Sequence, residues 1–314
     1  MGKIAFVFPG QGAQYVGMGK ALYEAYPEAQ QVFDDATEAL GYDMAKMCFE
    51  GPEEALRITE NTQPTILTTS VAALKALASH GIQPHVVAGL SLGEYSALVA
   101  ADALQFKDAV RLVRTRGKLM QEEVPDGVGG MAAILGLDDS DVELACERAK
   151  DAGVVQPANY NCPKQLVIAG EIQAVTRAVE EAKLLGAKKA VMLPVSAPFH
   201  TSLLKGAGDK LKGHLEHVQV SSLTVPVVAN VNASHYASSD VVKDLLVAQV
   251  SNPVLWAKSV AFMVEEGVDL FIEVGPGTAL SKFIKKIAKD VTILSVEDVE
   301  SLEATVAYIK ERQA

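Results

Sequence analysis

Two rhythms of apolar and polar positions run through the 314-residue chain. Short, mainly apolar runs at residues 4–8, 86–90, 225–231 and 268–274 predict strands. Stretches with helical spacing lie between them: one from about Met18, one from Thr65 to His80 that stops at Gly81, one from Gly93 to about Ala101, and further ones at 108–120 and 280–287. Strands alternating with helices predict an α/β domain with a mainly parallel sheet flanked by helices. Residues 127–197 follow a different order. Strands are predicted at 131–135, 154–158, 165–169 and 189–193, and helices at 140–152 and 172–185. That β-α-β-β-α-β order is the ferredoxin-like arrangement. The pattern thus predicts a large α/β domain (1–126 and 198–314) carrying an inserted small ferredoxin-like domain (127–197).

Composition narrows the field of functions. With 49% hydrophobic residues the chain can bury a full core. Its 28 basic and 39 acidic residues give a net charge of −11, which argues against a nucleic-acid binder. Cys48, Cys146 and Cys162 are far apart and lack a C-x-x-C spacing, so neither a disulfide framework nor a metal site is expected. The apolar start is cut at Pro9-Gly10, too early for a signal peptide, and no stretch approaches a membrane span. A cytoplasmic protein with no membrane partner is the expectation.

Three features carry candidate chemistry. Gly89-Leu90-Ser91-Leu92-Gly93 fits G-x-S-x-G where an apolar strand meets a helix. That is the setting of a nucleophile elbow: a sharp turn lifts the hydroxyl from the sheet and the helix start offers free N–H groups to an oxyanion. The plainer alternative is a glycine-rich turn with an idle serine. A serine needs a base. Of six histidines, His80, His85, His214, His217 and His235 suit surface or core roles. His200 follows the loop Ser196-Ala197-Pro198-Phe199 at a sheet edge and precedes a predicted helix, whose N-terminus would keep the ring neutral. Helix capping is the competing role. Its orienting partner is open among Glu273, a backbone carbonyl and an amide such as Gln249. Arg116 falls on the apolar face of the 108–120 helix, with Ala109, Leu112, Val113 and Met120. A buried guanidinium needs a partner. It either clamps an anionic substrate or forms a structural salt bridge.

Together these segments resemble the malonyl-CoA:acyl carrier protein transacylases over essentially the whole chain. Phe8-Pro9-Gly10-Gln11-Gly12-Ala13-Gln14 is similar to the family's opening signature, and Gly89-Leu90-Ser91-Leu92-Gly93-Glu94 to its nucleophile motif. Arg114-Thr115-Arg116-Gly117, Pro198-Phe199-His200 and Glu273-Val274-Gly275-Pro276-Gly277 resemble three more. Leu90 departs from the histidine many relatives carry there. The resemblance implies Ser91 as acyl carrier, His200 as its base and Arg116 as holder of the malonyl carboxylate. It implies an oxyanion hole from the N–H groups of Gln11 and Leu92, with Gln249 in the site helping to hold His200 and Asn161 lining the pocket. Phe199 leans toward malonyl over methylmalonyl. The implied reaction moves malonyl from malonyl-CoA, a substrate rather than a cofactor, to acyl carrier protein, with no metal and no other cofactor. Fatty acid synthesis is the expected pathway, with polyketide loading the alternative. An esterase or thioesterase, or a non-catalytic carrier-binding relative, are the rival functions. Lys282, Lys285, Lys286 and Lys289 share one helical face near the expected site and form a candidate docking patch for an acidic carrier.

Overall fold

The computed structural model describes residues 2–125, 127–195 and 197–313. Asp126, which ends the first large-domain segment of the sequence reading, lies outside the described residues. So does Ser196, in the loop before His200.

The first sheet has five parallel strands: β1 (Lys3–Phe8), β2 (Val86–Gly89), β7 (Val227–Val228), β8 (Val268–Val274) and β9 (Thr292–Val296), in the order β7-β2-β1-β8-β9. Register is set by pairs such as Ala5 with Val86 and Ala5 with Phe271. β1 shows why this segment is a central strand. Ile4, Phe6 and Phe8 face one core, whereas Ala5 and Val7 face another that includes Trp256 and Phe271. Helices cover both faces, so both sides of the strand are apolar.

The second sheet is antiparallel, built from β3 (Gly129–Leu135), β4 (Val155–Cys162), β5 (Gln165–Glu171) and β6 (Lys189–Met192) in the order β4-β5-β3-β6. With helices Asp139–Arg148 and Ile172–Leu184 between its strands, this is the ferredoxin-like order predicted. Ala132 and Ile134 of β3 pack on those helices in a core of their own. The intervening Met131 and Ala133 point the other way, into a cleft against the large sheet. The strand alternation therefore decides which residues of the small sheet can meet a substrate.

Several elements differ from the pattern reading, among them helices Pro27–Leu40, Val242–Ser251, Trp256–Glu265 and Val299–Gln313, which it does not predict. The helix predicted from Thr65 runs Thr59–Ser79, carrying Pro64 inside it. A proline reads as a boundary, but here the helix runs through Pro64 at its sixth position. The strand predicted at 225–231 is only two residues long, because the chain leaves the sheet at Asn230 to bond the turn after β2. β9 was not anticipated; its residues are only half-buried along most of its length.

Candidate active site

The turn after β2 is built by close approach. A Cβ on Gly89 would sit 1.9 Å from the carbonyl carbon of Gly93, and one on Gly93 would sit 2.1 Å from the Phe8 carbonyl oxygen. Only glycine lets strand, turn and helix Gly93–Ala100 pack at this distance. The turn forces Ser91 to φ +53°, a conformation costing a non-glycine residue about 1–3 kcal/mol. Both of its backbone groups are pinned. Its N–H donates to Asn230 Oδ1 at 2.6 Å, and its carbonyl accepts from Gln249 Nε2 at 2.9 Å. The Asn230 amide also donates to the Gly89 carbonyl at 2.7 Å.

Ser91 Oγ lies 2.7 Å from His200 Nε2, and His200 Nδ1 lies 2.8 Å from the Gln249 carbonyl oxygen. A carbonyl only accepts, so Nδ1 carries the hydrogen and Nε2 is left to take the serine proton. Burial, then the nearby Arg116 cation, lowers the His200 pKa from 6.5 to about 4, against the pull of backbone hydrogen bonds. The ring is therefore neutral for the reason a base requires. The helix N-terminus expected from the sequence is not that reason. A 3-10 turn, Ser202–Leu204, follows His200, and the helix begins only at Lys205. Glu273 is not the orienting group either. Its carboxylate accepts from the N–H groups of Leu280 and Ser281 at 3.0 and 2.7 Å, capping helix Ala279–Ile287. The pair is a Ser–His dyad held by a backbone carbonyl.

Arg116, on helix Phe106–Glu122, is 2% exposed. Nη1 donates to Gln63 Oε1 at 2.8 Å, while Nη2 donates to Gln249 Oε1 at 2.9 Å and to Ser91 Oγ at 3.1 Å. Its Cζ stands 5.4 Å from the Tyr95 ring centroid. These bonds go to amides and a hydroxyl rather than to a carboxylate, so the salt-bridge alternative finds no support. Nε–H has no partner among the described residues. Glu94 stands behind the Gln249 amide rather than in contact with the guanidinium, and a buried cation with an N–H left free and no carboxylate bonded to it among the described residues is suited to taking one up. Arg111 and Arg114 of the same helix turn outward, to the Ala39 carbonyl and to Glu60.

The dyad opens into a cleft of about 340 Å³ between the two sheets. Gln11, Leu92, Arg116, Asn161, Ser91 and His200 all line it. Gln11 and Leu92 lie in the loops after β1 and β2, and among the described residues neither backbone N–H has a hydrogen-bond partner. Two free donors flanking a nucleophile are what an oxyanion requires. Asn161, on β4, is 6% exposed and its Oδ1 has no partner among the described residues. Gln249 is fully buried behind the cleft wall and joins the site through its neighbours. Four residues escaped the sequence reading: Gln63, Glu94, Asn230 and Tyr236. Gln63 was hidden by the helix start misplaced after Pro64. Glu94 is fully buried and accepts from Gln249 Nε2 at 2.6 Å, from the Asn230 N–H at 3.2 Å and from the Tyr236 hydroxyl.

The family model for the acyl transferase domain matches residues 5–314. A malonyl CoA-acyl carrier protein transacylase of Bacillus subtilis (strain 168) is 46% identical over 312 residues, spanning 99% of this chain and 98% of that protein. The crystal structure of a malonyl CoA-acyl carrier protein transacylase from Clostridium perfringens Atcc 13124 matches with a TM-score of 0.96 at 48% identity, covering 99% of this chain and 98% of that one. A malonyl-transacylase solved in complex with its type II PKS acyl-carrier protein matches with a TM-score of 0.95 at 43% identity, over 98% of this chain and 99% of the other. The dyad geometry and the full-length likeness agree: the chain belongs to the acyl transferase domain family, on the branch of the malonyl CoA-acyl carrier protein transacylases.

Proposed function

We propose that this protein carries malonyl from coenzyme A to the pantetheine thiol of acyl carrier protein, by way of an ester on Ser91. The observation that carries the reading is one oxygen with two neighbours. Ser91 Oγ faces the basic nitrogen of His200 at 2.7 Å and the Arg116 guanidinium at 3.1 Å. A malonyl thioester places its free carboxylate one methylene from the reacting carbonyl, so a clamp for that carboxylate has to stand beside the nucleophile.

In the first half-reaction Ser91 Oγ gives its proton to His200 Nε2 and bonds to the thioester carbon. The carbonyl oxygen, now anionic, is taken up by the N–H groups of Gln11 and Leu92. The carbon–sulfur bond then breaks and coenzyme A leaves with the proton from His200. In the second half, the carrier thiol gives its proton to His200 and its sulfur attacks the ester. The carbon–oxygen bond breaks and Ser91 recovers its proton. Throughout, Arg116 holds the malonyl carboxylate, with Gln63 and Gln249 fixing the guanidinium from behind, and Asn161 offers its unpartnered oxygen to the bound acyl or pantetheine chain. The residues of the site need no metal or cofactor for these steps.

The product serves fatty acid synthesis in this reading, and the relative described with a type II PKS carrier supports polyketide loading as a second destination. A cytoplasmic setting is supported by three cysteines that are all free and buried, and no described helix is long and apolar enough to cross a membrane.

Following both malonyl carrier protein and free malonate after mixing with malonyl-CoA and holo-acyl carrier protein tests the reading. Malonyl carrier protein should form with little free malonate. Rapid malonate release that the carrier does not suppress would instead identify a hydrolase.

A further inference from the structure

Glu94 is a buried carboxylate that bonds neither Ser91 Oγ nor His200. It sits three residues after the nucleophile, on helix Gly93–Ala100, and is 0% exposed. Burial raises its pKa from 4.5 to about 7, against the opposing pull of its hydrogen bonds and of Arg116. A group so costly to bury calls for a role in the site.

That role is visible in the Gln249 side chain. A carboxamide has two nearly isosteric ends, one accepting and one donating. Its Nε2 donates to Glu94 Oε2 at 2.6 Å and to the Ser91 carbonyl at 2.9 Å. With both hydrogens directed to these acceptors, Oε1 is turned to Arg116 Nη2 at 2.9 Å. The flipped amide would set NH₂ against the guanidinium and oxygen against the Glu94 carboxylate and the Ser91 carbonyl. The Ser91 carbonyl alone would direct only one of the two hydrogens. Glu94 is itself fixed by the Tyr236 hydroxyl at Oε1 and by the Asn230 N–H at Oε2.

We propose that Glu94 is a positioning residue for acyl-group selectivity, which through the Gln249 amide holds the Arg116 guanidinium beside Ser91 Oγ where a malonyl carboxylate must bind. The inference rests on the proposed function. It concerns orientation rather than charge, because Oε2 accepts from Gln249 whether or not Oε1 carries a proton. Gln at position 94 can do the same. Its oxygen replaces Oε2, and its NH₂ faces the Tyr236 oxygen, which can accept.

The test is the ratio of kcat/KM for malonyl-CoA over acetyl-CoA in the full-length enzyme. Glu94→Ala should lower that ratio about tenfold or more through the malonyl arm, the scale of one lost charged hydrogen bond. Glu94→Gln should keep it within about threefold. In an Arg116→Ala background, Glu94→Ala should shift the ratio by less than about twofold, since coupled residues are non-additive. Gln249→Met removes the rotor without shortening the chain and should reproduce the Glu94→Ala ratio, which keeps the test open should Glu94→Ala fail to fold. Equal losses on both substrates in Glu94→Ala or in Gln249→Met, or a ratio shift that persists without Arg116, would overturn the inference. A wild type that prefers malonyl-CoA while its Glu94→Ala or Gln249→Met variant stays equally selective would overturn this inference alone. A wild type with no preference for malonyl-CoA would overturn the proposed function with it.

Discussion

Ser91 Oγ stands between the His200 ring and the Arg116 cation. His200 must be neutral to accept the serine proton. Its pKa is lowered to about 4 by burial and by Arg116, so the ring stays neutral through the ordinary histidine range near 6.5. The rate of Ser91 acylation should therefore hold level as pH descends past 6.5 and fall only as it approaches about 4, in a quenched-flow pH profile. A midpoint near 6.5 would contradict the buried dyad. In the proposed mechanism Arg116 also acts on the substrate. Charged hydrogen bonds contribute about 1.5–3 kcal/mol each, and 1.4 kcal/mol is tenfold, so Arg116→Ala should cut malonyl-CoA kcat/KM by roughly a hundredfold. Acetyl-CoA has no carboxylate to lose and should suffer much less, its loss confined to what Arg116 contributes to Ser91 Oγ and to the neutrality of His200. Equal losses on both substrates would make Arg116 structural. Both residues stand out as candidates in the sequence, His200 at a sheet edge and Arg116 on an apolar stripe, but local pattern leaves helix capping and a structural salt bridge open beside the roles that the family resemblance implies. Glu94, Asn230 and Tyr236 do not stand out, since their roles arise from contacts across more than 130 residues of chain.

At the scale of elements, the turn from β2 into helix Gly93–Ala100 depends on missing side chains. A methyl at Gly93 would collide with the Phe8 carbonyl of the neighbouring strand, backbone that has little room to shift. Gly93→Ala should cost about 1–3 kcal/mol, read from the urea midpoint. It should also slow acylation, because the turn that Gly93 closes carries Ser91 and Leu92. An unchanged midpoint and rate would show that the elbow tolerates a wider turn. The strands that bear this turn were readable because β1 and β2 are buried on both faces and read as apolar runs, and because β8 keeps an apolar Leu270-Phe271-Ile272 centre between Asp269 and Glu273. The ferredoxin-like insert was readable from the order of its elements. β9 carries a strand signal in Thr292-Ile293-Leu294-Ser295-Val296 that the pattern reading passes over, and β7 is shorter than predicted because Asn230 pulls the chain out of the sheet.

At the scale of the molecule, two sheets face each other across the cleft, and helix Ala279–Ile287 stands at its mouth. Ala279, Leu280 and Phe283 line the cleft, whereas Lys282, Lys285 and Lys286 of the helix are exposed; Lys289, expected on the same helical face, is also exposed but lies beyond the end of the helix. Lys286 Nζ donates to Gln165 Oε1 at 3.2 Å, on the cleft wall. On a chain of net charge −11 this face offers local complementarity to an acidic carrier protein. Reversing Lys285 and Lys289 to Glu should raise KM for holo-acyl carrier protein by about tenfold, with the effect shrinking at high salt. The rate of acylation by malonyl-CoA should stay the same. An unchanged KM would remove the helix from the docking surface. The central claim is the Ser91 ester, and intact-protein mass after brief mixing with malonyl-CoA, without acceptor, tests it most directly. The wild type should gain one malonyl group that holo-acyl carrier protein discharges, and Ser91→Ala should gain none. An unmodified wild type, or an adduct that survives in Ser91→Ala, would contradict the account.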